Sequence, residues 1–148
     1  MSSACQFAIS TSFDQPVLRF EFVVPGRPAS TQTSDRGRYQ AWKRLVRSHA
    51  ELMYPRPPAG VRLRLTVVFL CGPCLIDADN LIKPIQDALG GWAYRDDKQV
   101  TDVDSHRRSL HEKLDSERLP ALLIDAWQMR TECVYVRGEE ARSLEAYL

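Results

Sequence analysis

Long hydrophobic runs, an excess of charge and a cysteine framework are all missing from this sequence, and each absence removes a class of protein. No stretch of about 18 apolar residues occurs, so no membrane-spanning helix is expected. The opening residues, MSSACQFAISTSF, have neither the positive start nor the compact apolar centre of a secretory signal, so an intracellular, cytoplasmic protein is expected. Cysteine occurs only at Cys5, Cys71, Cys74 and Cys133, too rarely and too irregularly for a secreted disulfide scaffold, which suits a reducing compartment. Lysine and arginine number 20 against 19 acidic residues, and a net charge of +1 does not by itself announce a nucleic-acid partner. Internal repeats and low-complexity segments are also lacking.

What is present is an ordinary globular composition, 44% hydrophobic and 26% charged over 148 residues, enough for one domain with one core. Residues 1–15 are polar and aperiodic and read as a flexible N-terminal segment, leaving 16–148 as the domain. Val17–Val24 alternates apolar and charged residues as a half-buried strand does, and Pro25-Gly26 stops it. The next stretch, PGRPASTQTSDRGR, is a loop carrying Arg27, Arg36 and Arg38. A helix is predicted over Tyr39–Met53, with Trp42, Leu45, Val46 and His49 at helical spacing and Lys43, Arg44 and Arg47 on other faces. Val61–Leu70 begins with alternation and ends in a continuous β-branched and aromatic run, the pattern of a strand entering the centre of a sheet.

Beyond CGPC and LIDADN, residues Leu81, Ile85 and Leu89 share one helical face, which Gly90-Gly91 ends. Pro84 has no N–H and suits only a first turn, so this helix is expected to start near Asn80, with Asn80 as its N-cap. Two further strands, Gln99–Ser109 and Leu119–Met129, are expected after the loop YRDDK, with a short helix in the last eleven residues. The sum is an α/β (α+β) fold: a single mixed sheet of about four strands covered by two main helices.

Charge is unevenly distributed. Arg36, Arg38, Lys43, Arg44 and Arg47 form a basic segment, whereas Asp77, Asp79, Asp87, Asp96, Asp97, Asp102 and Asp104 gather in the middle of the chain. A basic segment beside an acidic one suits a phosphate track leading to a cation site, although solvated faces carry the same pattern. Asp77 and Asp79, two residues apart at a strand end, project to one side if the segment is extended, and their repulsion is relieved by a divalent cation. Hard carboxylate oxygens suit Mg²⁺ or Mn²⁺ better than zinc. Asp97 lies where a loop returns to the same sheet edge, and Lys83, one turn into the helix, is in reach of a phosphate or an attacking water. Such a site would activate water and polarise a phosphodiester. Read more plainly, Asp77 and Asp79 only terminate one element and start the next.

The segment Asp77-Ala-Asp-Asn-Leu-Ile-Lys-Pro-Ile-Gln-Asp-Ala-Leu, followed by Asp96-Asp97-Lys-Gln-Val100, resembles the signature of the RusA family of Holliday junction resolvases. The resemblance extends loosely from Val17 to Met129. It implies a homodimeric endodeoxyribonuclease that uses Mg²⁺, with Mn²⁺ as a substitute, to nick opposed strands of a four-way DNA junction in recombination and repair. It also implies Asp77, Asp79 and Asp97 as the essential acidic residues and metal ligands, and Lys83 as the catalytic lysine. DNA contacts are expected from Arg27, Arg36, Arg38, Lys43, Arg44, Arg47, Arg107 and Arg108. Leu75 and Ile76 stand where the family has basic groups before the first aspartate, a departure that bears on junction affinity. Asp87 is expected to bond nearby backbone.

Two other readings compete. Cys71-Gly-Pro-Cys74 is the dithiol sequence of thioredoxin-like oxidoreductases, but the following helix begins too late to lower the pKa of its first cysteine. A branched-DNA binder that does not cut is the other, against which the aspartates argue, because carboxylates beside a phosphate path weaken binding. His49, His106 and His111 read as ordinary, and Trp42, Trp92 and Trp127 as core or dimer contacts.

Overall fold

A computed structural model describes residues 15–58, 60–73 and 76–148. The segment expected to be flexible falls outside these, apart from Gln15, as does Cys74 of the CGPC sequence. Four strands form one mixed sheet in the order β1-β4-β2-β3, where β1 is Leu18–Pro25, β2 Leu63–Cys71, β3 Val100–Ser109 and β4 Cys133–Glu140. β4 lies antiparallel to both β1 and β2, and β3 runs parallel to β2 along one edge.

Three helices complete the domain: α1 (Arg36–Met53), α2 (Asp79–Leu89) and α3 (Ala121–Gln128). α1 and α2 cover one face of the sheet. Their buried stripes, Trp42, Val46 and Ala50 on α1 and Leu81, Ile85 and Leu89 on α2, meet Phe20, Phe22, Leu65, Val67 and Phe69. Phe20 also meets Trp92 edge to face, with ring centroids 5.6 Å apart. The other face is apolar only at one end, where Leu123 and Ala126 of α3 pack on Val68, Leu70 and Tyr135. Away from α3 that face carries a charge ladder in which Arg64 pairs with Asp104 and Glu139, and Arg137 with Glu21 and Glu139. This explains the two halves of β2: it alternates where its second face meets charges and becomes continuously apolar where α3 covers it.

α1 starts at Arg36, earlier than its apolar periodicity indicates, because the Asp35 carboxylate accepts the Arg38 N–H at 3.0 Å and caps the first turn. Asp35→Ala is therefore expected to cost about 1 kcal/mol, a fall of roughly 2–4 °C in melting temperature. Thermal circular dichroism checks it, and an unchanged midpoint would mean that the cap contributes nothing.

One expected strand, Leu119–Met129, is not a strand: Ala121–Gln128 is helical, entered from Pro120 and closed by Arg130 at φ 57. Its apolar run is short and nearly unbroken, a pattern that does not separate helix from strand, and burial of Leu123, Ile124 and Ala126 against the sheet decides the outcome. The fourth strand is instead β4, whose apolar start, Cys133-Val-Tyr-Val136, is followed by Arg137 and Glu139 of the ladder. In the last eleven residues, Leu144–Ala146 form a single 3₁₀ turn.

Candidate active site

β2 ends at Cys71, and the chain crosses to α2 through Ile76, Asp77 and Ala78. The neighbouring β3 grips this crossing. Ser105 and Arg107 alternate along β3 on the side of α1 and α2; Ser105 donates its hydroxyl proton to the Ala78 carbonyl, and Arg107 donates to the Ile76 carbonyl at 2.8 Å. Asp77 and Asp79 are thus held exposed on either side of an anchored residue. No described residue gives either carboxylate a hydrogen bond or an ion pair.

Asn80 does not cap α2. The helix begins at Asp79 from Ala78, so Pro84 lies inside it, two residues deeper than with Asn80 as the cap. Proline cannot donate the usual bond to the carbonyl four residues back, which belongs to Asn80. That carbonyl instead accepts the Thr31 backbone N–H at 3.4 Å, while the Asn80 side chain accepts the Thr31 hydroxyl at 2.8 Å. A bond forbidden within the helix thereby docks the loop after β1 against the aspartates. Between loop and crossing lies a polar cleft of about 460 Å³, lined by Arg27, Gln32, Thr33, Arg38, Asp77 and Asn80. Arg27 also pairs with Glu132, which accepts the Gly72 N–H as well and is held below the usual carboxylate range by these bonds, that from Arg27 first.

The acidic pair in YRDDK divides its work. Asp96 accepts the Lys98 N–H at 2.9 Å, and the Gln99 side chain accepts the Arg95 N–H at 2.9 Å, so that Asp96 caps the 3₁₀ turn Asp97–Gln99. Tyr94 holds the loop against α2 by donating to the Gln86 carbonyl at 2.5 Å; burial, then Asp97 and Asp87, raises its pKa. Asp97 is left to face α2, where Lys83 Nζ lies 3.3 Å from its Oδ2. Lys83 Nζ lies 3.0 Å from Asp87 Oδ1 too, and Asp87 Oδ2 accepts the Tyr39 hydroxyl at 3.1 Å. Asp87 therefore bonds side chains, not the backbone expected for it. The hydrogen bond to Asp87, then that to Asp97, outweighs lost hydration and raises the Lys83 pKa. Burial, then Asp87, raises that of Tyr39.

The structure thus brings Lys83 and Asp97 together, and places Asp77 and Asp79 on the anchored crossing where α2 begins, four residues before Lys83 in the case of Asp79. It does not gather three carboxylates: among the described residues no group of three His, Cys, Asp or Glu side chains is arranged to hold a metal ion.

The basic residues separate more than their sequence proximity suggests. Arg27 and Arg38 line the cleft, with Arg36 exposed in the same first turn of α1. Lys43 lies over the Tyr39 ring, and Lys43, Arg44 and Arg47 border a shallow hollow beside Asp87. Arg47 is engaged inside the fold: it donates to the Ala88 and Gly90 carbonyls at 3.3 and 3.1 Å, satisfying the end of α2, and pairs with Glu51 at 2.6 Å. Arg107 and Arg108 fall on opposite faces of the sheet, because Arg107 registers with Phe69 and Arg108 with Leu70. Arg108 and His106 accordingly border an apolar hollow under α3, away from the aspartates. Cys71 is buried at the end of β2, its thiol 3.6 Å from the Arg108 carbonyl, and α2 does not begin until Asp79, so no helix dipole activates it.

Tyr39 and Thr31 had no part in the sequence reading. Tyr39 precedes Trp42 by three residues and so shares its buried stripe, a usable signal; nothing local marked Thr31.

Residues 19–124, from β1 into α3, match the family model described as Endodeoxyribonuclease RusA. Among curated proteins nothing matches the chain. No helix among the described residues is long and apolar enough to cross a membrane.

Proposed function

Given that the chain belongs to the RusA endodeoxyribonuclease family, we propose that it is a homodimeric, magnesium-dependent nuclease that resolves four-way DNA junctions by paired nicks in recombination and repair. The observation that carries this reading is the Lys83–Asp97 pair at 3.3 Å, whose lysine lies on the helix that starts at Asp79 beside an arginine-bearing cleft. These are the elements a phosphodiesterase needs: anionic ligands, a cation for the phosphate and a path for the strand.

The donor chemistry fits a hard cation. Asp77 and Asp79 expose carboxylates that no described cation neutralises, and Mg²⁺ keeps several waters while using few protein ligands. Asp77, Asp79 and Asp97 would hold the ion, with Mn²⁺ as a substitute. When bound, it supplies Lewis-acid polarisation of the phosphodiester and a water acidic enough to attack near neutral pH. Lys83 presents its ammonium to a non-bridging phosphate oxygen and offsets the charge that builds there. Arg27 and Arg38 take neighbouring phosphates along the cleft, and Arg36, Lys43 and Arg44 extend the track over α1. Nicking opposed strands requires two such sites, hence two copies of the chain.

The test is cleavage of a labelled synthetic four-way junction against linear duplex, with Mg²⁺ and with a chelator. Symmetric paired nicks on the junction alone, lost with chelator, are expected. Binding without cutting under any divalent metal would overturn the reading in favour of a non-catalytic branched-DNA binder.

A further inference from the structure

We propose that Asp87, oriented by the Tyr39 hydroxyl, is a positioning residue that fixes the Lys83 ammonium for phosphate contact; this rests on the nuclease reading above. A lysine side chain has four rotatable torsions and, when half exposed as Lys83 is, normally samples many rotamers. Here it is tied on two sides, to Asp87 at 3.0 Å and to Asp97 at 3.3 Å. The two ties are not equivalent. Asp97 comes from a loop and is one of the carboxylates assigned to the cation, so its hold on Lys83 weakens when that ion binds. Asp87 lies one turn farther along the helix that carries Lys83, and its geometry does not depend on the loop.

Helix support is a poor explanation for the Lys83–Asp87 pair. With lysine N-terminal to the acid at four-residue spacing, the charges run in the less favourable orientation for a helix. A free carboxylate on α2 would also rotate. The Tyr39 hydroxyl, donated from α1 to Asp87 Oδ2 at 3.1 Å, sets the carboxylate plane so that Oδ1 faces Lys83. The chain of bonds is thus Tyr39 to Asp87 to Lys83, and it spans both helices that cover the site face of the sheet. Asp87 touches no substrate in this scheme.

The experiment measures single-turnover cleavage of the four-way junction, and junction affinity in chelator, for Tyr39→Phe, Asp87→Asn, Lys83→Met and the Asp87→Asn/Lys83→Met double variant. A lost charge-assisted hydrogen bond predicts cleavage slower by about ten- to a hundredfold in Asp87→Asn, and by a smaller factor in Tyr39→Phe. Affinity should change by less than about twofold, because a single side chain is loosened while the cleft arginines stay. In the Lys83→Met background Asp87→Asn should add nothing, whereas a purely structural role would keep its full effect there. Lysine ε-methylene NMR gives a readout independent of cutting: the Lys83 resonance, assigned by its loss in Lys83→Met, should move toward that of a mobile lysine in both Asp87→Asn and Tyr39→Phe. An unaltered resonance, or additive rate effects, overturns the positioning role alone. A wild-type protein that cuts no branched DNA overturns the nuclease reading and this role with it.

Discussion

Asp79→Asn should abolish cleavage, lowering the single-turnover rate by at least about a thousandfold, while junction binding in chelator is kept or tightened. The substitution is isosteric and removes one negative charge from the crossing between β2 and α2. If Asp79 is a ligand, the loss is several kcal/mol of transition-state stabilisation, and each 1.4 kcal/mol is a factor of ten. Binding should not suffer, because a carboxylate beside a phosphate path repels it and an amide does not. Stability gives an internal control. Asp79 is an acidic residue in the first turn of α2, where it favours the helix dipole by roughly 0.3–1 kcal/mol. The melting temperature should therefore fall by only about 1–4 °C. Cleavage, filter binding and thermal melting of the same preparation make the comparison. Activity within tenfold of wild type would remove Asp79 from the ligand set, whereas a collapse in melting temperature would mean that it serves the fold.

The largest effect on stability is expected at Gly138, in the central strand. Gly138 registers with Phe20 on β1 and Leu65 on β2, and the Phe20 ring lies directly over it, where a Cβ would stand. Phe20 is fully buried between Phe22 and Trp92 and has no solvent into which to retreat. Overpacking a core usually costs about 1–3 kcal/mol and occasionally more. Because the added atom here meets ring carbons and not the end of a flexible chain, Gly138→Ala should cost about 3 kcal/mol or more, roughly 6–12 °C in melting temperature. Phe20→Leu in the same chain should recover part of the loss, since the two positions are in contact and their effects are not additive. Urea denaturation of the single and double variants measures it. A Gly138→Ala protein as stable as wild type would refute the packing of Phe20 over that glycine.

The parts of the fold that were legible in the sequence have a period that burial on one face imposes. β1, the alternating half of β2 and the stripes of α1 and α2 are of this kind. α3 was misread because its eight residues are apolar on most sides, although Pro120 before it is a start signal consistent with a helix. β4 was missed because it lies at the centre of the sheet yet carries Arg137 and Glu139 on one face, charges that the partners on β1 and β2 make tolerable. The match to the family likewise ends at residue 124, before β4 begins.

At the site, residue types and spacing led to Asp97 and Lys83, which the structure places together. Their setting was not legible. Nothing local shows that Pro84 frees a carbonyl for Thr31, that Tyr39 reaches Asp87 from another helix, or that Arg47 closes the end of α2. Each of these depends on how distant segments meet. The division of Arg107 from Arg108 was derivable in principle, since alternation in a strand separates neighbours, but which of them faces the aspartates depends on the register with β2.

The position of β4 between β1 and β2 also affects how the chain is made. β2, α2 and β3 form a contiguous unit whose contacts are near in sequence, so the crossing that carries Asp77 and Asp79 can begin to assemble while synthesis continues. β1 has no strand partner near in sequence. Of the described strands it is translated first and its partner last, with Leu18 pairing with Glu139. Until that partner emerges, β1 and β2 each expose an unpaired apolar edge, the kind of edge that invites pairing with another chain. Such sequence-distant pairing is slow to form and gives the domain a high contact order. The nascent chain is therefore most exposed to aggregation in the interval before β4 is released, and completion of the sheet, more than assembly of the site, is expected to limit how fast active protein accumulates.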